Sequence, residues 1–143
     1  MAATPIVSLS YPKTRESLEK VIKVVSTDTT AFLGAVLPKD ALITGIYVIG
    51  QAVNTAVTSA SLGIGSTTSA NEFMTGFDIK TAATGEGYNP AGAAAVGSAM
   101  MTKLTVDTPV YAKITSAGGS DGGGPWFVKI EYFVTGPGED AQM

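Results

Sequence analysis

TSAGGSDGGGPWFVKIEYFV, residues 115–134, sets five glycines (Gly118, Gly119, Gly122, Gly123 and Gly124) before a patterned run that begins at Trp126. A loop of this composition either cradles a phosphate or turns the chain between strands, and the two readings lead to different folds. A phosphate loop opens onto a helix, whose N-terminus supplies free N–H groups and the positive end of the dipole. Here Pro125 leads into Trp126-Phe127-Val128-Lys129-Ile130-Glu131-Tyr132-Phe133-Val134, aromatic and β-branched types that suit a pleated, half-buried surface. One phase of that run, Trp126, Val128, Ile130, Tyr132 and Val134, is apolar or aromatic throughout, while the other carries Lys129 and Glu131. Upstream of the glycines, residues 109–115 repeat the period of two, with Val110, Ala112 and Ile114 set against Tyr111, Lys113 and Thr115. No Lys-Ser or Lys-Thr pair closes the loop and GxGxxG is absent. The pattern predicts a hairpin tip between two strands.

Working outward, other runs read the same way. Residues 42–53 are the most strand-like, and both of their phases are largely apolar, which predicts cover on both faces, as in mid-sandwich or at a subunit interface. Residues 31–37, 59–65, 72–79 and 100–106 read as further short strands. Residues 18–25 fit helical spacing at Leu18, Val21, Ile22 and Val25, but β-branched residues dominate, which favours a strand. Residues 80–98 are small and neutral and read as a long loop, with a short helix over 91–99 weakened by its glycines. Residues 4–11, between Pro5 and Pro12, read as an extended arm or an edge strand. The expectation is an all-β chain: a single β-sandwich or jelly roll of short antiparallel strands over 18–136, an extended N-terminal arm over 1–17 and a tail over 137–143.

Composition narrows the function. The 143 residues suffice for one domain with a proper core. Charged residues make up 15% of the chain and hydrophobic residues 45%, against a usual charged share of about a quarter. So neutral a surface predicts that part of it is covered by a partner. The net charge of −3 comes without any basic cluster, so phosphate-neutralising nucleic-acid binding is not expected. There is neither cysteine nor histidine, which removes disulfides, thiol chemistry, Cys/His zinc sites and histidine acid–base catalysis. The N-terminus lacks the basic start and apolar stretch of a secretory signal, and no apolar run approaches the ~20 residues of a membrane helix. A soluble chain without membrane contact is expected.

Paired carboxylates are the catalytic class that composition leaves, with Glu72, Asp78, Glu86, Asp107, Asp121 and Glu131 as candidates. They scatter over loops and outward strand positions and read as surface charge. Calcium at Asp121 or Asp78 would need several oxygen ligands together, and no EF-hand pattern supplies them. Serine nucleophiles would need a lysine partner, but the serines sit in turn-like clusters such as residues 65–69. Trp126 and Tyr132 fall in the inward phase and read as core rather than a sugar platform. No enzyme, cofactor, metal or small-molecule substrate is expected.

The stretches LPKDALITGIYVIGQAVN (37–54), SASLGIGST (59–67), NEFMTGFDI (71–79) and DTPVYAKITSAGGSDGGGPWFVKIEYFV (107–134) resemble the capsid decoration, or cement, proteins of tailed bacteriophages. The resemblance covers 36–134 with a break over 80–99, and is one of pattern: Leu37-Pro38, a Gly-rich strand at 62–65, then an aromatic strand with Phe73 and Phe77. It implies a β-sandwich or jelly roll that coats the outside of the phage head as a homodimer or homotrimer, with the major capsid protein as partner, made in the host cytoplasm. Within that reading Pro5, Ile6, Val7, Leu9 and Tyr11 of the arm, and Tyr88, Asn89 and Pro90 of the long loop, are candidate capsid or inter-subunit contacts. The arm could equally be an edge strand of its own sheet, and the loop an ordinary surface loop. Another phage structural protein of the neck, tail or head fibre, or a carbohydrate- or receptor-binding sandwich, shares the same fold class.

Overall fold

A computed structural model describes residues 17–86, 103–119 and 122–135, and among them every regular element is a strand. In chain order these are β1 (Leu18–Val24), β2 (Phe32–Leu37), β3 (Ala41–Gly50), β4 (Ser59–Gly65), β5 (Met74–Asp78), β6 (Gly85–Glu86), β7 (Thr108–Ala117) and β8 (Trp126–Val134). They form two antiparallel sheets, β1-β8-β3-β6 (sheet A) and β2-β7-β4-β5 (sheet B), the strand order of a jelly roll. Their inward phases meet in one core. Trp126, Val128 and Ile130 of β8 and Ile43, Ile46 and Val48 of β3 face Val110, Ala112 and Ile114 of β7 and Leu62 and Ile64 of β4. Burying an aliphatic side chain of this size contributes about 1.5–3 kcal/mol, so the alternation read in the sequence is what holds the sheets together.

Two expectations about neighbouring strands need correction. β7 and β8 do not form a hairpin, because β7 lies in sheet B and β8 in sheet A. The glycines carry the chain from one sheet to the other. Alternation tells which residues face the core, but two strands facing it from opposite sides alternate just as two paired strands do. Gly118, Gly119, Gly123 and Gly124 all have positive φ (96°, 113°, 86° and 73°), a region that side chains disfavour. The arch is tied to residues 51–58 by backbone bonds: Gly124 N–H donates to Ala52 O (3.1 Å), Gln51 N–H to Pro125 O (3.1 Å) and Thr58 N–H to Ala117 O (3.0 Å). The second correction concerns residues 103–107, which are not a strand. Leu104 is held instead by two backbone bonds, its N–H to Ala41 O (2.9 Å) and its O from Asp40 N–H (2.7 Å).

β3 shows why both of its phases are apolar. Its register against β8 shifts between Ile43 and Gly45, so Thr44 is an extra residue. Thr44 Oγ1 donates to Glu131 O at 3.2 Å across this bulge. Ala41 and Ile43 point inward before it, Ile46 and Val48 after it, and the opposite phase (Leu42, Tyr47, Ile49) lies on the outer face, half-buried or exposed. One face is covered by the sandwich; the other is open.

The molecule has two distinguishable ends. At the foot lie the first residues of β1, β3 and β7; at the crown lie the glycine arch and residues 51–58. β2 runs from crown to foot, antiparallel to β7.

Candidate interaction surfaces

Four of the six carboxylates that sequence offers for chemistry, Glu72, Asp78, Asp107 and Glu131, are engaged in local structure. Glu72 closes the β4–β5 loop: its oxygens accept from Thr67 Oγ1 (2.6 Å), Thr67 N–H (3.2 Å) and Asn71 N–H (3.4 Å). Burial pushes its carboxyl up, but these hydrogen bonds together outweigh that and hold it below the ordinary value. Asp78 terminates β5 by accepting from Thr81 Oγ1 (2.8 Å), Thr81 N–H (3.0 Å) and Lys80 N–H (2.9 Å), with the Thr81 hydroxyl foremost in holding its carboxyl low. Asp107 accepts from Lys39 N–H at 2.9 Å. Glu131 lies 3.2 Å from Lys129 Nζ, and that hydrogen bond is the main reason the Lys129 ammonium is held above its usual pKa. Asp121 lies outside the described residues. Among the described residues no three acidic groups gather as metal ligands would.

What the fold does assemble is apolar surface. On the outer face of sheet A, Lys129 sits over the Tyr47 ring (5.3 Å to the centroid) and 4.0 Å from Glu19. Around it are Val21 and Ile49, 54% and 48% exposed, and half-buried Leu42, Phe127 and Phe133. On sheet B the apolar surface is confined to the β2 side, where Leu33 and Val36 are exposed beside half-buried Tyr111 and Pro109. Beyond it the face is small and hydroxyl-bearing, with Ser59, Ser61, Thr75 and Thr115. Phe127 and Phe133, in the outward phase of β8, were a sequence signal for the first patch. The second was invisible without knowing that β2 is an edge.

The edges differ in kind. β6 has two residues and β5 five, so on that side little strand is open. On the other side β1 and β2 lie one above the other: a Cβ on Gly34, the residue skipped where β2 shifts register, would stand 2.6 Å from Ile22 Cγ2. Among the described residues these two strands of seven and six residues form the long open side of the sandwich.

The candidate contacts Pro5, Ile6, Val7, Leu9 and Tyr11, and likewise Tyr88, Asn89 and Pro90, lie outside the described residues. Where the described chain resumes or stops is informative. Ser17 precedes Leu18, which pairs with Tyr132 near the end of β8; Leu104 is bonded to the start of β3; Thr135 N–H donates to Asp40 O at 2.9 Å. These three junctions are at the foot, beside an open depression of about 400 Å³ lined by Phe73, Leu104, Val106, Lys103 and Asp107, whereas Glu86, the last described residue before 87–102, pairs with Tyr47 midway along β3.

No protein-family model and no curated protein matches the chain. Solved structures do share the fold. A chain in the capsid asymmetric unit of cyanophage Pam1 superposes with a TM-score of 0.61 at 17% identity, over 85% of this chain and 86% of that one. A chain in the acid-stable capsid structure of the Helicobacter pylori bacteriophage KHP30 superposes with a TM-score of 0.57 at 13% identity, over 85% and 94%. The near-equal coverage means that each matched chain is of nearly the same length as this one.

Proposed function

We propose that this chain is a structural component of a bacteriophage capsid and, within that class, a decoration protein on the outside of the head. There it bridges neighbouring major capsid subunits and stabilises the coat lattice. The observation that carries the reading is the fold likeness, over 85% of this chain, to chains of similar length in two phage capsid structures. A charge-poor chain with open apolar patches on both sheets supports it, because lattice attachment needs complementary neutral surface and no reaction chemistry. In this role the partners are the major capsid protein and further copies of the chain, with no nucleic acid, membrane or cofactor, and the site of residence is the virion surface after synthesis in the host cytoplasm.

Pro5, Ile6, Val7, Leu9 and Tyr11, with Tyr88, Asn89 and Pro90, are the proposed lattice contacts. The first segment leads into β1 at the foot, where Leu18 pairs with Tyr132, and the second follows Glu86, which pairs with Tyr47 midway along β3. Weak contacts of this kind become tight when linked copies bind together, since the second contact forms at high effective concentration.

Copy number tests the role. In purified virions of the parent phage, the 14.5 kDa band is expected in near-integer proportion to the major capsid protein on a quantitative gel. A handful of copies would instead assign the chain to neck, tail or fibre. Absence from the virion would overturn the capsid reading in favour of a carbohydrate- or receptor-binding module.

A further inference from the structure

We infer that the open edge of β1 is a dimer interface, pairing antiparallel with β1 of a second copy across a two-fold axis at Val21. The inference uses described strands alone and stands or falls independently of the capsid reading.

β1 reads Leu18-Glu19-Lys20-Val21-Ile22-Lys23-Val24 and, among the described residues, is paired on one side only, by β8. Glu19, Val21 and Lys23 share the outer face, with Val21 54% exposed and the Glu19 side chain 57% exposed. A two-fold axis normal to the sheet keeps faces matched and makes the new pair antiparallel, like every other pair in the molecule. Only when the axis passes through Val21 do all seven residues overlap. In that register Val21 lies opposite Val21 of the second copy, and Glu19 opposite Lys23 on both sides of the axis. A slip of two residues one way puts Lys20 opposite Lys20; the other way it loses both opposite-charge pairs. Full overlap and charge complementarity thus select the same register, and cross-strand pairs of opposite charge favour pairing while like charges oppose it.

The strand beneath supplies a second reason for cover. β2, Phe32-Leu33-Gly34-Ala35-Val36-Leu37, is an edge strand without a single charge, although edges exposed to water are usually blunted by charge or proline. Gly34 packs on Ile22, so the axis that passes through Val21 also passes close to the middle of β2 and draws its uncharged edge toward its own copy. In the dimer the two feet lie at opposite ends, so the terminal segments of the two copies leave in opposite directions.

The test is light scattering of the purified full chain over a concentration series. A dimer is expected, and Lys23→Glu should weaken it about tenfold by turning two attractive cross-strand pairs into like-charge pairs. Glu19→Lys should do the same, and Glu19→Lys with Lys23→Glu in one chain should restore the original affinity. Circular dichroism should be unchanged throughout, because both side chains are exposed. Val21→Cys gives a second readout in a chain that has no cysteine. Opposed Cα atoms at about 4.5–5.5 Å are within disulfide reach, so oxidation should yield a covalent dimer, whereas Ser61→Cys on the outer face of sheet B should not. A chain monomeric at every concentration, as when residues 4–11 fold back onto β1, would overturn the inference. So would a trimer, or a dimer indifferent to both charge reversals.

Discussion

Gly34 shows how one hydrogen in place of a methyl sets the distance between two strands. It sits where β2 shifts register, and its missing side chain lets β2 approach Ile22 of β1; an added Cβ would also come within 2.9 Å of Ile22 Cδ1. Gly34→Ala is therefore expected to lower stability by about 1–3 kcal/mol through overpacking. A urea-melt cycle with Ile22→Ala should show non-additivity, because the second change removes the clash. Additive effects would mean that the backbone had moved aside. Glu72 makes a different residue-scale prediction. Hydrogen bonds depress its carboxyl in the folded chain, so its stabilising effect is present above the unfolded-state pKa and is lost as pH falls through the folded value. Glu72→Gln should thus melt below the wild type at pH 7, with the gap closing as pH is lowered through the carboxylate range. A gap independent of pH would mean that the carboxylate charge is not what holds the loop.

At the scale of elements, β8 is the strand on which sheet A depends, since it pairs with β1 on one side and β3 on the other. Ile130 lies in its middle with no exposure to solvent. Ile130→Ala is expected to cost about 2–5 kcal/mol, measured by chemical denaturation, whereas Val57→Ala at a 72% exposed position should fall within about 0.5 kcal/mol of wild type. These elements were the legible ones. β4 and β8 begin and end where alternation in the sequence says they do, because neither carries a bulge on its inward phase near an end. β3 stops at Gly50, three residues short of the apolar run, which goes on into the crown loop. β6 has two residues, Gly85 and Glu86, and is defined only by the Tyr47 and Val48 backbone it pairs with, so no local pattern announces it. Pairing itself is non-local: that β7 and β8 belong to different sheets, and that β1 and β2 are edges, follows from the whole topology. The self-complementary spacing of Glu19, Val21 and Lys23 was present in the sequence but had no meaning until β1 was known to be an open edge.

For the whole molecule, the proposed role separates body from attachment. Among the described residues the core is closed mainly by side chains of β1 to β5, β7 and β8. If the proposed arm contacts hold, deleting residues 1–11 is expected to leave circular dichroism and melting temperature near those of the full chain while abolishing retention on coat particles, scored by co-sedimentation. Binding that survives the deletion would remove the arm from the proposed contacts. The glycine arch has one more consequence. It is at the crown, the end away from Ser17 and Thr135, and a side chain built on Gly119 would meet no atom within 4 Å. Foreign sequence fused at either terminus is joined through the segments that leave the sandwich at Ser17 and Thr135, the first of which carries the proposed arm contacts. An epitope or enzyme spliced in after Gly119 would instead enter at the opposite end from those two junctions, which makes this turn the natural port for using the protein as a display scaffold.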